Sequence, residues 1–102
     1  MTALVEDKRE DLHRLCERFH VSRLDLFGSA ADGTFDAQRS DLDFLVEFQE
    51  LRLGQHFDSY FGLREGLEQL FHRHVDLVVA RAVRNPYFQR SIDRSRTLIY
   101  AA

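Results

Sequence analysis

Three aspartates and one glycine–serine step are the residues of this 102-residue chain whose types and spacing could do chemistry. Asp41 and Asp43 stand two apart in the apolar run SDLDFLVEF, and Asp76 stands in HVDLVV. Gly28 and Ser29 close the segment LDLFGS, with eleven residues between Ser29 and Asp41. Aspartate is depleted in strands, and removing a carboxylate from water is costly unless it is paired or binds a metal. Residues two apart on a strand share a face, ~6–7 Å from each other. If the Asp76 strand lies beside the Asp43 strand, three acids converge, repel and raise one another's pKa. Divalent cations remove that penalty. Mg²⁺ takes oxygen ligands, often one or two carboxylates together with substrate phosphates, and two ions ~3.5–4 Å apart serve phosphoryl transfer. Gly28 would end a strand and let the backbone approach a ligand. Ser29 offers a hydroxyl and an N–H to phosphate oxygens at a helix start. Arg39, beside the acids and next to Ser40, is a further phosphate candidate.

Each feature has a plainer reading. A lone Asp-x-Asp is most often a pair of solvated acids or caps, and a lone Gly–Ser is most often a turn. The combination says more: strand, Gly–Ser, polar loop, acidic strand, then a second acidic strand. Asp25 is expected to face solvent, because it has no acidic neighbour two residues away. His72 and His74 form a His-x-His, but no cysteine or third histidine is suitably placed. They are expected as surface residues at a helix end. Arg81, Arg84, Arg90, Arg94 and Arg96 make the C-terminal segment basic. That segment is a solvated helix face on one reading and a partner or phosphate contact on the other.

The elements that must position these residues follow from periodicity. Residues 3–19 read as a helix, with Leu12, Leu15, Cys16 and Phe19 on one stripe. Residues 23–27 read as a short strand stopped by Gly28, and residues 29–40 as a polar loop turning at Gly33. Residues 42–48 are the clearest strand, with Phe44, Val46 and Phe48 on one side and Asp43, Leu45 and Glu47 on the other. A helix over 55–72 carries a broad apolar face from Phe57, Tyr60, Phe61, Leu67, Leu70 and Phe71. Gly62 and Gly66 weaken it by ~1 kcal/mol each relative to alanine. Residues 74–79 read as a buried strand. Asn85 caps a third helix with Pro86 in its first turn, and TLIYA closes as a strand. The order α-β-loop-β-α-β-α-β predicts an α/β fold with a small mixed sheet packed with helices.

The length predicts one domain spanning residues 1–102. The 44% hydrophobic content is enough for one core, which the nine Phe are expected largely to fill. A net charge of −3 and a pI near 5.9 argue against general nucleic-acid binding. A lone cysteine, Cys16, excludes an internal disulfide and any Cys-x-x-Cys site. No apolar run approaches the ~18 residues of a membrane span, and the charged N-terminus is unlike a signal peptide. A cytoplasmic location is expected.

The motifs LFGS, SDLDFLV and HVDLVV together resemble those of the nucleotidyltransferase superfamily that shares the DNA polymerase beta palm fold. The similarity is greatest to its minimal nucleotidyltransferase (MNT) branch. That branch carries an apolar residue, Gly and then Gly or Ser, about ten residues, Asp-x-Asp, and a later single Asp on another strand. The closing NPYFQRSIDRSRTLIYA also looks like the family's ending, so the likeness covers nearly the whole chain. It implies that Asp41 and Asp43 ligate two Mg²⁺ ions, joined by Asp76, which also helps to activate an acceptor hydroxyl. It implies that Gly28 and Ser29, together with Arg39 and Ser40, hold the phosphates of ATP. In one departure the chain reads AADG where an Arg is common soon after Gly–Ser, leaving Arg39 as the substitute. Larger members add a helical domain for which 102 residues leave no room. Proteins of this branch are often encoded beside a HEPN-domain toxin. The implied function is transfer of AMP from ATP to a tyrosine hydroxyl of that toxin, as its antitoxin. The alternatives are an antitoxin that neutralises by steric contact, and a transferase for a small molecule such as an aminoglycoside.

Overall fold

A computed structural model describes residues 3–32 and 41–102. Along the chain run α1 (Ala3–Glu6), α2 (Arg9–Arg18), β1 (Val21–Phe27), α3 (Ser29–Asp32), β2 (Leu42–Phe48), α4 (Leu53–Phe71), β3 (Val75–Val79), α5 (Pro86–Ser95) and β4 (Thr97–Ala101). A single 3₁₀ turn, Ala80–Ala82, links β3 to the segment before α5. The strands form one mixed sheet in the order β3-β2-β1-β4. β1 pairs antiparallel with β2 and β4, and β2 pairs parallel with β3. A parallel pair needs a long crossover, and α4 supplies it.

β2 is an interior strand, and its apolar run has a use on both faces. Leu42, Phe44 and Val46 enter the main core with Leu24 and Leu26 of β1 and with Leu63, Leu67 and Phe71 of α4. Leu45 turns to the opposite face, where it meets Phe27 and Ile92 of α5. Helices therefore cover both sides, as an α/β fold requires. α2 lies against α4, and two glycines set their separation. A Cβ on Gly62 would collide with the Phe19 ring, and one on Gly66 would stand 2.7 Å from a Leu15 methyl. The close contact between helices is why the sequence tolerates two poor helix formers in one helix.

Several expectations need correction. The helix expected over 3–19 is two helices, broken by a turn at Asp7 and Lys8. Asp25 does not face solvent: it is 0% exposed. Arg23 Nε donates to its Oδ1 at 3.1 Å and Arg96 Nε to its Oδ2 at 2.6 Å, so the buried charge is paired by its own strand and by the residue that ends α5. Burial opposes the charge on Arg96, but hydrogen bonding and charge from Asp25, then from Asp93, outweigh it and raise the Arg96 pKa. β3 is an edge strand rather than a fully buried one, with Val75 and Leu77 inward and Asp76 exposed. The phenylalanines divide: Phe27, Phe44, Phe48 and Phe71 are buried, whereas Phe57, Phe61 and Phe88 are exposed. On α4 the buried stripe is Ser59, Leu63, Leu67 and Phe71, which turns Phe57 and Phe61 outward as a stacked pair. Part of the segment expected as a loop, Ser29–Asp32, is a helical turn. Asn85 caps α5 as expected, accepting from the N–H groups of Tyr87 and Phe88 at 2.8 and 3.3 Å.

Candidate active site

The acids meet where the sheet's parallel pair begins. Asp43 and Asp76 are partners in the β2–β3 register, and Phe27 pairs with Asp43 from the other side. Asp41 directly precedes β2. The Leu42 N–H donates to the His74 carbonyl at 3.3 Å, which brings residue 41 beside residue 74. The Val75 N–H donates to Glu68 at 3.1 Å, and the Tyr60 hydroxyl donates to the Leu77 carbonyl at 2.6 Å. α4 thus holds β3 on either side of Asp76.

Gly28 abuts the same place. Its φ is +74°, in the left-handed region that glycine adopts without strain. A Cβ here would run into the Asp43 carboxylate, so the backbone passes this acid as closely as a side-chain-free residue allows. The Gly28 N–H donates to Ser95 Oγ at 2.8 Å, tying the turn to the end of α5. An open cleft of about 540 Å³ lies over these residues, walled by Gly28, Asp43, His74, Asp76, Tyr60 and Arg64. A larger groove of about 650 Å³ between α2 and α4 lies away from the acids, above Gly62 and Gly66.

The electrostatics are those of an acid cluster with one imidazole beside it. Burial, then the hydrogen bond and charge of Asp76 and the charge of Asp41, push the Asp43 carboxyl up to about 6, with His74 pulling weakly the other way. The His74 Nδ1 lies 3.3 Å from Asp41 Oδ2 and 3.7 Å from Asp76 Oδ1. Donor atoms of Asp41, His74 and Asp76 all lie within 4.8 Å of one another. Carboxylate oxygens gathered this closely, one of them favouring its proton, are a donor set suited to a hard divalent cation.

The structure therefore brings together Asp41, Asp43, Asp76 and Gly28. Ser29 opens α3 and is half-buried, one residue beyond the cleft wall. Arg39 and Ser40 lie outside the described residues. Of the C-terminal arginines, Arg96 is taken by Asp25 and Asp93, and Arg90 stacks on the Tyr87 ring at 5.5 Å. His74 is exposed just past the end of α4, as the sequence suggests, but its contacts with the acids are not legible there. Its Nδ1 faces Asp41 and, slightly farther off, Asp76. His72 ends α4, in a left-handed conformation with φ of 54°.

Comparison with known proteins points the same way. A sequence model described as the nucleotidyltransferase domain matches residues 9–99. A Methanocaldococcus jannaschii protein, MJ1379, named as a candidate protein adenylyltransferase, is 34% identical over 98% of this chain and 96% of its own length. The solved structure of a candidate minimal nucleotidyltransferase superposes with a TM-score of 0.73 at 33% identity, covering 90% of this chain and 89% of that one. A chain from the complex of a tri-AMPylated Shewanella oneidensis HEPN toxin with its MNT antitoxin shares the fold at a TM-score of 0.65. Its identity is 16%, over 96% of this chain and 73% of that one. The chain belongs to the nucleotidyltransferase domain family. No helix among the described residues is long and apolar enough to cross a membrane.

Proposed function

We propose that this nucleotidyltransferase transfers AMP from ATP to a tyrosine hydroxyl of a HEPN-type toxin and acts as its antitoxin. The observation that carries this reading is the in-register apposition of Asp43 and Asp76, with Asp41 and the Gly28 backbone against the same carboxylates. The names of the M. jannaschii relative and of the Shewanella complex support the choice of a protein acceptor.

In this reading Asp41, Asp43 and Asp76 hold Mg²⁺, two ions being expected, which would neutralise the phosphates and the charge that develops on them. Gly28 and Ser29, with Arg39 and Ser40, bind the phosphates of ATP. The tyrosine oxygen forms a bond to the α-phosphorus, the bond from that phosphorus to pyrophosphate breaks, and Asp76 helps take up the hydroxyl proton. Catalysis of this kind is mostly positioning and charge stabilisation. The cleft is open, and exposed apolar side chains stand at its sides. Phe88 forms part of the wall, and Phe61 packs edge-on to the wall residue Tyr60. Such surfaces suit a docked protein better than a small free hydroxyl compound.

Co-incubation of the protein with the toxin partner and Mg-ATP, followed by intact-mass spectrometry, tests the proposal. AMP units on tyrosine are expected with wild type and none with Asp43→Asn. A complex that forms while the partner's mass stays unchanged would replace transfer with steric neutralisation.

A further inference from the structure

His74 is exposed, yet its ring is directed at two of the three acids. Its backbone is fixed on both sides: its carbonyl accepts from Leu42, and the next N–H, of Val75, is taken by Glu68. With the backbone so held, Nδ1 lies 3.3 Å from one Asp41 oxygen and 3.7 Å from one Asp76 oxygen. Adjacent ligands of an octahedral ion with bonds of ~2.1 Å are separated by about 3 Å. Small rotations of three exposed side chains close the observed spacing onto one ion, with the imidazole nitrogen as a ligand beside the two carboxylates.

We propose that His74 is a metal ligand of this site and that it tilts the site from Mg²⁺ toward divalent first-row transition ions. The inference rests on the metal-binding reading above and deepens it. Mg²⁺ is a hard ion that prefers oxygen and sheds water reluctantly. Imidazole is a borderline donor that suits transition ions, and the ions later in the row bind such mixed sets more tightly. A nitrogen ligand from the first residue of His-x-Asp therefore adds affinity for Ni²⁺ or Zn²⁺ that Mg²⁺ does not share, with Mn²⁺ gaining least of the row. The consequence is a selectivity set by a residue outside the three acids.

Mn²⁺ is the probe, because it reports its own ligands. Electron spin-echo spectroscopy of the full chain loaded with Mn²⁺ is expected to show modulation from a directly bound imidazole nitrogen. His74→Gln, at an exposed position, is expected to remove that modulation. It should raise the Kd for Ni²⁺ about tenfold and change the Kd for Mg²⁺ less than about twofold. Bound Mn²⁺ without nitrogen modulation in the wild type overturns the inference. So does a variant that weakens both ions equally or tightens both. Asp41→Asn with Asp43→Asn separates the two levels. Ni²⁺ binding lost in that double variant but untouched by His74→Gln leaves the acid site standing and removes only His74. Failure of the wild type to bind Mn²⁺ even with a non-hydrolysable ATP analogue removes both.

Discussion

Asp25 and Asp43 lie on adjacent strands of one sheet and on the same face, yet they have opposite environments. Asp25 is buried and answered by Arg23 and Arg96. Asp43 is half-buried and answered by more acid: Asp76 opposite it in register and Asp41 two residues before it. A fold can bury a carboxylate by pairing it, as at position 25. Leaving the charge uncompensated, as at position 43, costs stability unless something absent from the chain arrives to complete it. The difference separates an acid that holds the molecule together from acids kept for a ligand.

The comparison breaks most visibly at Arg96. Removing one partner of a buried pair leaves an uncompensated charge, which typically costs 3–5 kcal/mol. Arg96→Ala leaves Asp25 with Arg23 alone, so stability should fall by about 3 kcal/mol in urea melts, the low end of that range. Asp41→Asn with Asp43→Asn, in the absence of metal, should leave the fold as stable or more so. A double variant that unfolds as readily as Arg96→Ala would make the acid cluster structural.

Ligand addition reverses the ranking. Mg-ATP at ~100 times its Kd should stabilise the wild type by ~2.7 kcal/mol. The Asp41→Asn, Asp43→Asn variant should show none of that gain, whereas Arg96→Ala should keep it on its lower baseline. Thermal melts with and without Mg-ATP give all three values. An equal shift in wild type and double variant would take the acids out of the binding site.

The contrast also marks what was legible in the sequence. The strands were legible because their side chains alternate over a core, and the acids stood out by interrupting that pattern. The start of α5 was legible because Asn85 and Pro86 are local signals. The burial of Asp25 was not legible, since its partner Arg96 lies 71 residues away and only the pairing of β1 with β4 brings them together. His74 was hidden for the same reason, its contact with Asp41 being created by the β2–β3 register. The exposure of Phe57 and Phe61 depends on which face of α4 meets the sheet, and composition does not report that. Gly62 and Gly66 read as helix weaknesses until the side chains of α2 were seen filling their space.

The smallest effect centres on Asp43. Its carboxyl lies at about 6 in the folded protein against an ordinary 3.8, because of burial first and then the hydrogen bond and charge of Asp76. The folded state therefore binds this proton more tightly than the unfolded one. Below pH ~4 both states are protonated and the site costs nothing. As pH rises from about 4 to 6 the unfolded chain ionises first, so stability falls, and above about 6 the loss is complete. Solvent screening of a partly exposed group reduces the effect to about 1 kcal/mol. In EDTA, the stability difference between Asp43→Asn and wild type should grow by that amount across this window and then level off. Carboxylates distant from the cluster titrate equally in both proteins and cancel, so the difference reports Asp43 together with Asp76 and Asp41, which titrate with it. A difference that stays flat from pH 4 to 7 would mean that Asp43 is as well compensated as Asp25, and the contrast between the two acids would collapse.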